Sequence, residues 1–197
     1  MSGRKQFDES EVLDKAMRVF WEQGYKATSL SDLESAMGLN KSSIYNAFHS
    51  KEVLYGRCLE HFQSQYACNA MDTLDHPDFR IAMGSFLEML QAGMESSDTP
   101  EGCIATMAAM EVGASEGFLA DLVAKGSNDM LERIETRMKQ AIEDGQLKAD
   151  TDCAALAALV MAVSRGVVAL NKGTGNNTAG KRSYQQLTAI LDQYTHS

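Results

Sequence analysis

The sequence predicts an all-α protein with about nine helices and no strands. Residues of high helix propensity, chiefly Ala, Leu, Met, Glu and Lys, recur along nearly the whole chain, and only two of its 197 residues are proline. Apolar residues repeat at three- and four-residue spacing between polar residues that can cap helices and glycines that can end them. A hydrophobic fraction of 44% is typical of a globular core, so we expect a folded chain.

The first three predicted helices are short and closely spaced. Asp8 can cap a helix that ends at Gly24, and its apolar side consists of Val12, Leu13, Ala16, Met17 and Phe20. Ser29 can cap the second helix, with Asp32 in an imperfect capping box, because Glu or Gln is usual at that position. Asn40 can cap the third helix, which runs from Lys41 to Phe48 with a narrow apolar side and a wide polar one.

Longer helices follow. Ser50 can cap a fourth helix that runs toward Asp75, before a break at residues 76–78. Five further helices are predicted at about residues 79–95, 103–112, 118–144, 152–170 and 183–194. The segment 171–181 is rich in Gly and Asn, which predicts a loop between the last two helices.

The second and third helices have the sequence form of a helix-turn-helix, at about residues 29–48. A three-residue turn, residues 38–40, joins them, and their shared core consists of Leu33, Ala36, Leu39, Ile44 and Phe48. The first helix can complete this small core through Phe20 and Trp21. The polar side of the third helix is then free to enter a DNA major groove, which is about 12 Å wide.

From about residue 7 to residue 62 the chain resembles the TetR/AcrR transcriptional regulators. The resemblance is carried by AMRVFWEQGYKATSLSDLESAMGLNKSSIYNAFHSKEVLYGRCLEHF, residues 16–62, while the rest of the chain matches only in helical layout. The resemblance implies a DNA-binding domain at residues 6–66 and an effector-binding and dimerisation domain at residues 67–197. It also implies that the long fourth helix joins the two domains.

The resemblance implies DNA-contacting roles for residues in and around the helix-turn-helix. The implied phosphate contacts are Thr28, Ser29, Tyr45 and Lys51. The implied candidate contacts to bases or backbone are Lys41, Ser42, Ser43 and Asn46. The chemistry agrees, because Asn can read adenine, Lys can read guanine, and helix N-termini favour phosphate. His49 either touches phosphate or only ends the helix. Taken singly, each of these residues could instead be an ordinary core or surface residue.

A net charge of −9 disfavours contact with the phosphates of DNA, but this charge is unevenly distributed along the chain. Residues 1–57 contain eight Lys or Arg and eight Asp or Glu, so residues 58–197 carry the whole excess of acid. Phosphate binding depends on local charge, because screening limits its range to about 8 to 10 Å at physiological salt. An acidic body also discourages indiscriminate binding to nucleic acid.

The larger second domain contains many Met and aromatic residues, which suit an adaptable cavity but also an ordinary core. The resemblance implies a small-molecule effector pocket, which we place near Phe62, Tyr66, Phe86, Cys103, Met107, Met110 and Glu111. Glu111 interrupts an apolar run, so it is either a ligand contact, a partner for Arg80 or Arg165, or a partly exposed carboxylate at a helix end.

The resemblance further implies a homodimer formed through the last two helices. The first of these is rich in Ala, which allows another helix to approach closely, although it could equally be buried within one chain. The chain start lacks an apolar signal segment, and the longest apolar run, residues 153–163, is shorter than the roughly 20 residues of a membrane span. We therefore expect a cytoplasmic protein with no membrane partner.

These features predict a ligand-responsive transcriptional regulator that binds a palindromic operator in double-stranded DNA as a dimer and is released by a small-molecule effector. Repression is the usual outcome in the family, and activation stays open. The alternative is a helical small-molecule-binding or adaptor protein without DNA-binding activity.

An enzyme is not expected. The four His and four Cys residues show no triad or metal-site spacing, so we expect no metal and no cofactor. The segment GNNTAGKR, residues 175–182, has Arg where a phosphate-binding loop needs Ser or Thr.

Overall fold

Helices account for most of the computed structural model, which describes residues 8–113 and 116–196. Its α-helices are α1 (Glu9–Gln23), α2 (Leu30–Met37), α3 (Lys41–Phe48), α4 (Lys51–Phe62), α5 (Cys68–Asp72), α6 (Phe79–Glu95), α7 (Ile104–Val112), α8 (Phe118–Glu143), α9 (Cys153–Thr174) and α10 (Thr178–Asp192). Within these two ranges the only extended pairing is an isolated bridge between Leu147 and Thr195, so the all-α prediction is confirmed. The predicted domain start, residue 6, lies outside the described residues.

The predicted helix starts are confirmed by their caps. Asp8, Ser29, Asn40, Ser50 and Asp152 each accept a backbone N–H of the first turn. The capping box of α2 is complete, because Ser29 accepts the amide of Asp32 and the Asp32 carboxylate accepts the amide of Ser29 at 2.8 Å. The shorter carboxylate of Asp therefore fills the role usually taken by Glu.

Helices α1 to α4, which we call the head, surround one core, the head core. Ile44 and Phe48 of α3 are almost fully buried in it. The ring of Tyr55 lies 4.8 Å from that of Phe20 and stacks on that of Tyr25 at the same distance. This aromatic cluster joins α1 to α4, while Ile44 and Phe48 attach α3 to the same core and leave its other side in solvent.

The predicted long fourth helix is a single helical rod with an irregular middle. α4 continues into a π-helical turn, Gln63–Ala67, then into α5 and a 3-10 turn, Thr73–Asp75. The residues at these junctions keep helical backbone angles, so the chain does not break until His76. A π turn carries an extra residue in the helix and is most often found at functional sites.

A second core lies among α5, α6, α8, α9 and α10, where Phe79, Phe86, Ile134 and Met138 are among the buried residues. Helix α7 packs elsewhere. Its residues Ile104, Ala108 and Val112 belong to the head core, together with Leu119 at the start of α8. Helix α7 therefore links the two halves of the chain by packing, although it follows the head by more than forty residues in sequence.

The predicted loop between the last two helices is mostly wrong. Helix α9 extends to Thr174 and α10 starts at Thr178, so only residues 175–177 lie outside a helix. Gly180 lies inside α10, not in a turn, and it allows α10 to pack closely against α9. A Cβ at this position would overlap Asn171 and lie 2.7 Å from Val167. The glycine therefore lets α10 lie directly on α9.

Helix α9 has the length and composition of a membrane span, with 22 residues and a mean hydropathy of 2.1 in its most apolar window. The helix was predicted to end at about residue 170, and the apolar run at residues 153–163 covers only its first half. Helix α9 packs against α8 and α10, and 44% of that window is buried inside the molecule. Because buried helices of helical bundles share this composition, it is weak evidence for a membrane span.

Candidate DNA-binding face and effector cavity

Helix α3 presents an exposed polar side. Its exposed residues include Lys41, Ser42, Tyr45 and Asn46, while Ser43 is half-buried and its amide donates to the Asn40 side chain at 2.9 Å. The Tyr45 ring is 40% exposed, and the Lys41 ammonium lies 5.9 Å from its centroid. A hydroxyl, an amide and an ammonium thus point outward from a helix that is held by its buried side.

His49 ends α3 in an unusual conformation. Its amide donates to the carbonyl of Tyr45 at 2.9 Å, and its φ of 64° lies in the left-handed region, which favours glycine. The residue thus ends the helix, one of the two roles that the sequence allowed. Its side chain is also exposed, so the predicted phosphate contact stays a prediction.

Two residues predicted to contact phosphate turn inward instead. Thr28 is only 2% exposed, and its hydroxyl donates to the carbonyl of Gly24 at 2.7 Å. The Lys51 ammonium donates to the carbonyl of Thr28 at 2.5 Å and lies 4.7 Å from the Tyr25 ring centroid. Burial lowers the pKa of Lys51. The Thr28 and Lys51 side chains thus both form hydrogen bonds within the turn between α1 and α2. Ser29, the next residue after Thr28, is exposed.

Glu111 lies away from the position predicted for it. Its carboxylate accepts the amides of Tyr25 at 2.7 Å and Lys26 at 3.3 Å, in the turn between α1 and α2. Gly24 leaves room for this contact, because a Cβ there would overlap the carboxylate. Helix α7 is thereby bonded directly to the head.

Neither arginine proposed as a partner of Glu111 pairs with it. Arg80 lies 3.4 Å from Asp192, near the end of the chain. Arg165 donates to the Ser127 hydroxyl at 2.7 Å. The carboxylate binds the two turn amides because α7 runs along the head.

A cavity of about 690 Å³ lies between the head and the second core. Four of the predicted effector-binding residues line it: Phe62, Tyr66, Phe86 and Cys103. Met107, Met110 and Glu111 do not line it, which corrects their predicted placement. Met107 packs against the head core instead, and the Met110 side chain is 77% exposed to solvent.

Sequence reasoning missed several cavity residues. Trp21 of α1 was interpreted only as core, yet it borders the cavity with its ring edge-on to Phe62 at 5.1 Å. Ser127 of α8 and Arg165 of α9 also line it. The Met-rich composition did identify the region, because Met71, Met89 and Met94 are in its wall. No local pattern identifies the polar wall residues, since they come from different helices.

The described part of the chain contains no cluster of three or more His, Cys, Asp or Glu side chains that could hold a metal ion. All four cysteines are free thiols.

Comparison with known proteins decides the family. The profile of the Tetracyclin repressor-like C-terminal domain matches residues 82–187, which is more than half of the chain. The chain belongs to the TetR family. The profile of the bacterial regulatory proteins of the tetR family matches residues 12–58, which span α1 to α3 and part of α4. The resemblance drawn from the sequence is thus confirmed.

Individual relatives of this TetR-family chain are similar along most of their length. The HTH-type transcriptional repressor ComR of Escherichia coli (strain K12) is 28% identical over 166 residues, covering 83% of this chain and 79% of its own. A cysteine mutant of the TetR family regulator CifR, solved with 26-bp double-strand operator DNA, superposes with a TM-score of 0.78. That chain is 29% identical, and the match covers 96% of this chain and 95% of that one.

A TetR transcriptional regulator from Chloroflexus aurantiacus J-10-FL has a TM-score of 0.84 at 25% identity, covering 95% of this chain and 96% of that one. Together these matches identify the protein as a DNA-binding transcriptional regulator of the TetR family rather than an enzyme.

Proposed function

We propose that this regulator binds a palindromic operator as a homodimer, acts as a repressor, and is released from DNA by a small-molecule effector. The observation that carries the proposal is the position of the cavity. Its wall includes Arg18 and Trp21 of α1, so a molecule in the cavity would touch the DNA-binding head directly. A volume of about 690 Å³ is within the range of sites for drug-sized ligands.

The exposed side of α3 supplies the proposed DNA contacts. Lys41, Ser42 and Asn46 are exposed and would make base or backbone contacts, and the hydroxyl of the exposed Tyr45 would contact phosphate. Ser29 is exposed at the start of α2, where helix polarity favours an anion. Thr28 and Lys51 would reach phosphate only if their bonds within the turn opened.

The proposed dimer uses α9 and α10. These helices leave a shallow apolar groove lined by Val163, Gly166, Leu170 and Ile190, among others. Leu170 is 42% exposed and Leu159, one turn before Val163, is 37% exposed. A second copy would cover this surface and supply the two-fold axis that a palindrome requires.

Glu111 would transmit a movement of α7 at the cavity to the head. Cys103, at the start of α7, and Thr106 and Ala108 within it line the cavity, while Glu111 near the end of α7 accepts the amides of the turn that precedes α2. A ligand that shifts α7 would therefore move this turn. It would also act on α4, whose continuation through Tyr66 forms another part of the wall. Effector and DNA would then oppose each other by reciprocal coupling.

Selection of bound sequences from random duplex DNA by the purified protein tests the DNA part. We expect an enriched palindrome with half-sites about one DNA turn, 34 to 36 Å, or a multiple of it apart. Tyr45→Ala should weaken binding to all enriched sequences by about tenfold or more, and Asn46→Ala should change the preferred base at one position of each half-site. Tyr194→Ala, an exposed tyrosine in the turn after α10, is the matched control and should bind normally.

Enrichment of no sequence, or unchanged binding by Tyr45→Ala and Asn46→Ala, would favour the second candidate, a helical ligand-binding or adaptor protein. Enrichment of a single unpaired half-site would instead contradict the dimer.

A further inference from the structure

We propose that the cavity binds an organic anion, with an apolar body in the cavity and one acidic group at Arg165. This inference rests on the proposed effector function and names the chemical class of the effector. It is carried by a guanidinium in the cavity wall that has no acidic partner.

Arg165 lies on α9 and is half-buried in the wall. Its Nη2 donates to the Ser127 hydroxyl of α8 at 2.7 Å, which aims the guanidinium across the gap between the two helices. Within residues 8–113 and 116–196 no carboxylate lies at ion-pair distance from it. A partly buried cation gains from a partner of opposite charge, so the site favours an anion that supplies one.

The other cavity arginine differs. Arg18 is bonded to the Asp14 carboxylate at 2.9 Å and to the carbonyl of Asp98 at 2.5 Å. Its charge is thus already compensated, and Arg165 is the cation of the wall that a ligand can neutralise.

The acidic residues of the wall do not cancel Arg165. Glu60 lies 3.8 Å from Arg57, and Asp129 lies 2.5 Å from Lys125. Asp72 and Asp98 are exposed to solvent, where water screens their charges. None of these four carboxylates is therefore at ion-pair distance from Arg165.

The side chains next to Arg165 are compatible with an anion. Ser164 donates its hydroxyl to the carbonyl of Val160 at 2.8 Å, and Tyr184 of α10 also lines the cavity. Burial raises the pKa of Tyr184 to about 12, so its phenol stays neutral and does not repel an anion.

The rest of the wall suits an apolar body. Phe86, Leu90, Met130 and Met161 contribute rings and flexible thioether side chains. A ligand with one acidic group and an aromatic or aliphatic body would match both parts of the wall.

Two fluorescent probes of nearly the same shape test the charge preference in the full chain. 8-Anilinonaphthalene-1-sulfonate carries one sulfonate, and N-phenyl-1-naphthylamine is the same ring pair without it. We expect Arg165→Gln to weaken binding of the sulfonate probe by about tenfold or more, and to leave the neutral probe within about twofold. Arg165→Lys should retain most of the preference. The matched charge control Arg133→Gln, on the exposed side of α8 and outside both the cavity and the α9–α10 groove, should change neither probe.

Helical circular dichroism and operator binding should be unchanged in Arg165→Gln, which separates a local charge effect from misfolding. A second variant, Gly126→Leu, should weaken both probes, because Gly126 lines the cavity with open space where its Cβ would lie.

The outcomes separate the two proposals. Equal weakening of both probes by Arg165→Gln, or no change in either, would overturn the anion inference and leave the cavity intact. Binding of neither probe, or binding unaffected by Gly126→Leu, would overturn the effector cavity itself, while the DNA selection would still stand.

Discussion

The head core and the second domain differ in how completely their interiors are filled. In the head core, Phe20, Tyr25 and Tyr55 lie ring against ring, and Ile44 and Phe48 are almost fully buried. The second domain, by contrast, borders a cavity of about 690 Å³ where it meets the head, and several of its Met side chains line that cavity. A helix that must reach DNA in a fixed orientation needs a rigid support, whereas a sensor needs space for its ligand. The chain builds the two interiors from similar helices with different packing.

The largest expected effect tests this difference in packing. Phe20→Ala should lower the free energy of unfolding by about 3 to 5 kcal/mol, because it opens a hole in a filled core. Met130→Ala should cost at least about 1 kcal/mol less, because the Met130 side chain lines the cavity, is only half-buried and has fewer contacts to lose. Chemical denaturation followed by circular dichroism measures both.

Trp21 is the only tryptophan, and its fluorescence separately reports unfolding of the head. Equal losses for the two variants would show that the cavity closes in solution and that both interiors are equally filled.

An intermediate effect tests the bond that joins the two regions. Glu111→Ala should cost about 1 to 2 kcal/mol, because it leaves the partly buried amide of Tyr25 without an acceptor. Gly24→Ala should also destabilise, since its φ is 86° and its Cβ would overlap the Glu111 carboxylate. Part of that cost is the overlap, so Gly24→Ala should cost less when Glu111 is already Ala.

Glu101→Ala, which removes an exposed acid in the loop before α7, is the control and should leave stability within about 0.5 kcal/mol of the native chain. Additive costs for Gly24→Ala and Glu111→Ala would show that the two residues are not in contact.

The smallest effect compares helix caps in the two regions. Bonds to Ser29 lower the pKa of Asp32 in the head, and bonds from the α6 amides lower the pKa of Asp78 in the second domain. A carboxylate whose folded-state pKa is lowered contributes stability above its ordinary pKa near 4. That contribution is lost as pH falls through the lower folded value.

Asp32→Asn and Asp78→Asn should therefore each make stability slightly less dependent on pH below about 4. Urea denaturation between pH 2 and 5 measures this dependence, with Trp21 fluorescence reporting the head and circular dichroism the whole chain. If the free energy of unfolding of the native chain and of both variants depended on pH in the same way, the two caps would make no such contribution to stability.

Local signals predicted the helices well. The caps at Asp8, Ser29, Asn40, Ser50 and Asp152 depend on residues within one turn of each other, so the sequence alone contains them. The split of α3 into a buried and an exposed side followed from its spacing of apolar residues for the same reason. The exposed residues of the predicted reading side are thus placed correctly, and their contact with DNA stays a prediction.

Contacts between distant segments were not predictable. Glu111 meets Tyr25 across 86 positions, and no pattern around either residue indicates that α7 lies beside the head. Lys51 looked like a free basic residue because the carbonyl that it bonds, on Thr28, lies 23 positions earlier. The loop before α10 was overextended because Gly180 is common to turns and to closely packed helices, and only the neighbouring helix decides between them.

The uneven charge of the chain also affects how the molecule approaches its target. Residues 1–57 have no net charge, whereas residues 58–197 carry −9, so the molecule has an electric dipole along its length. In the negative potential around a duplex, such a dipole experiences a torque that turns the acidic end away. An encounter would then begin with α3 already facing the groove, and fewer collisions would be lost to wrong orientations.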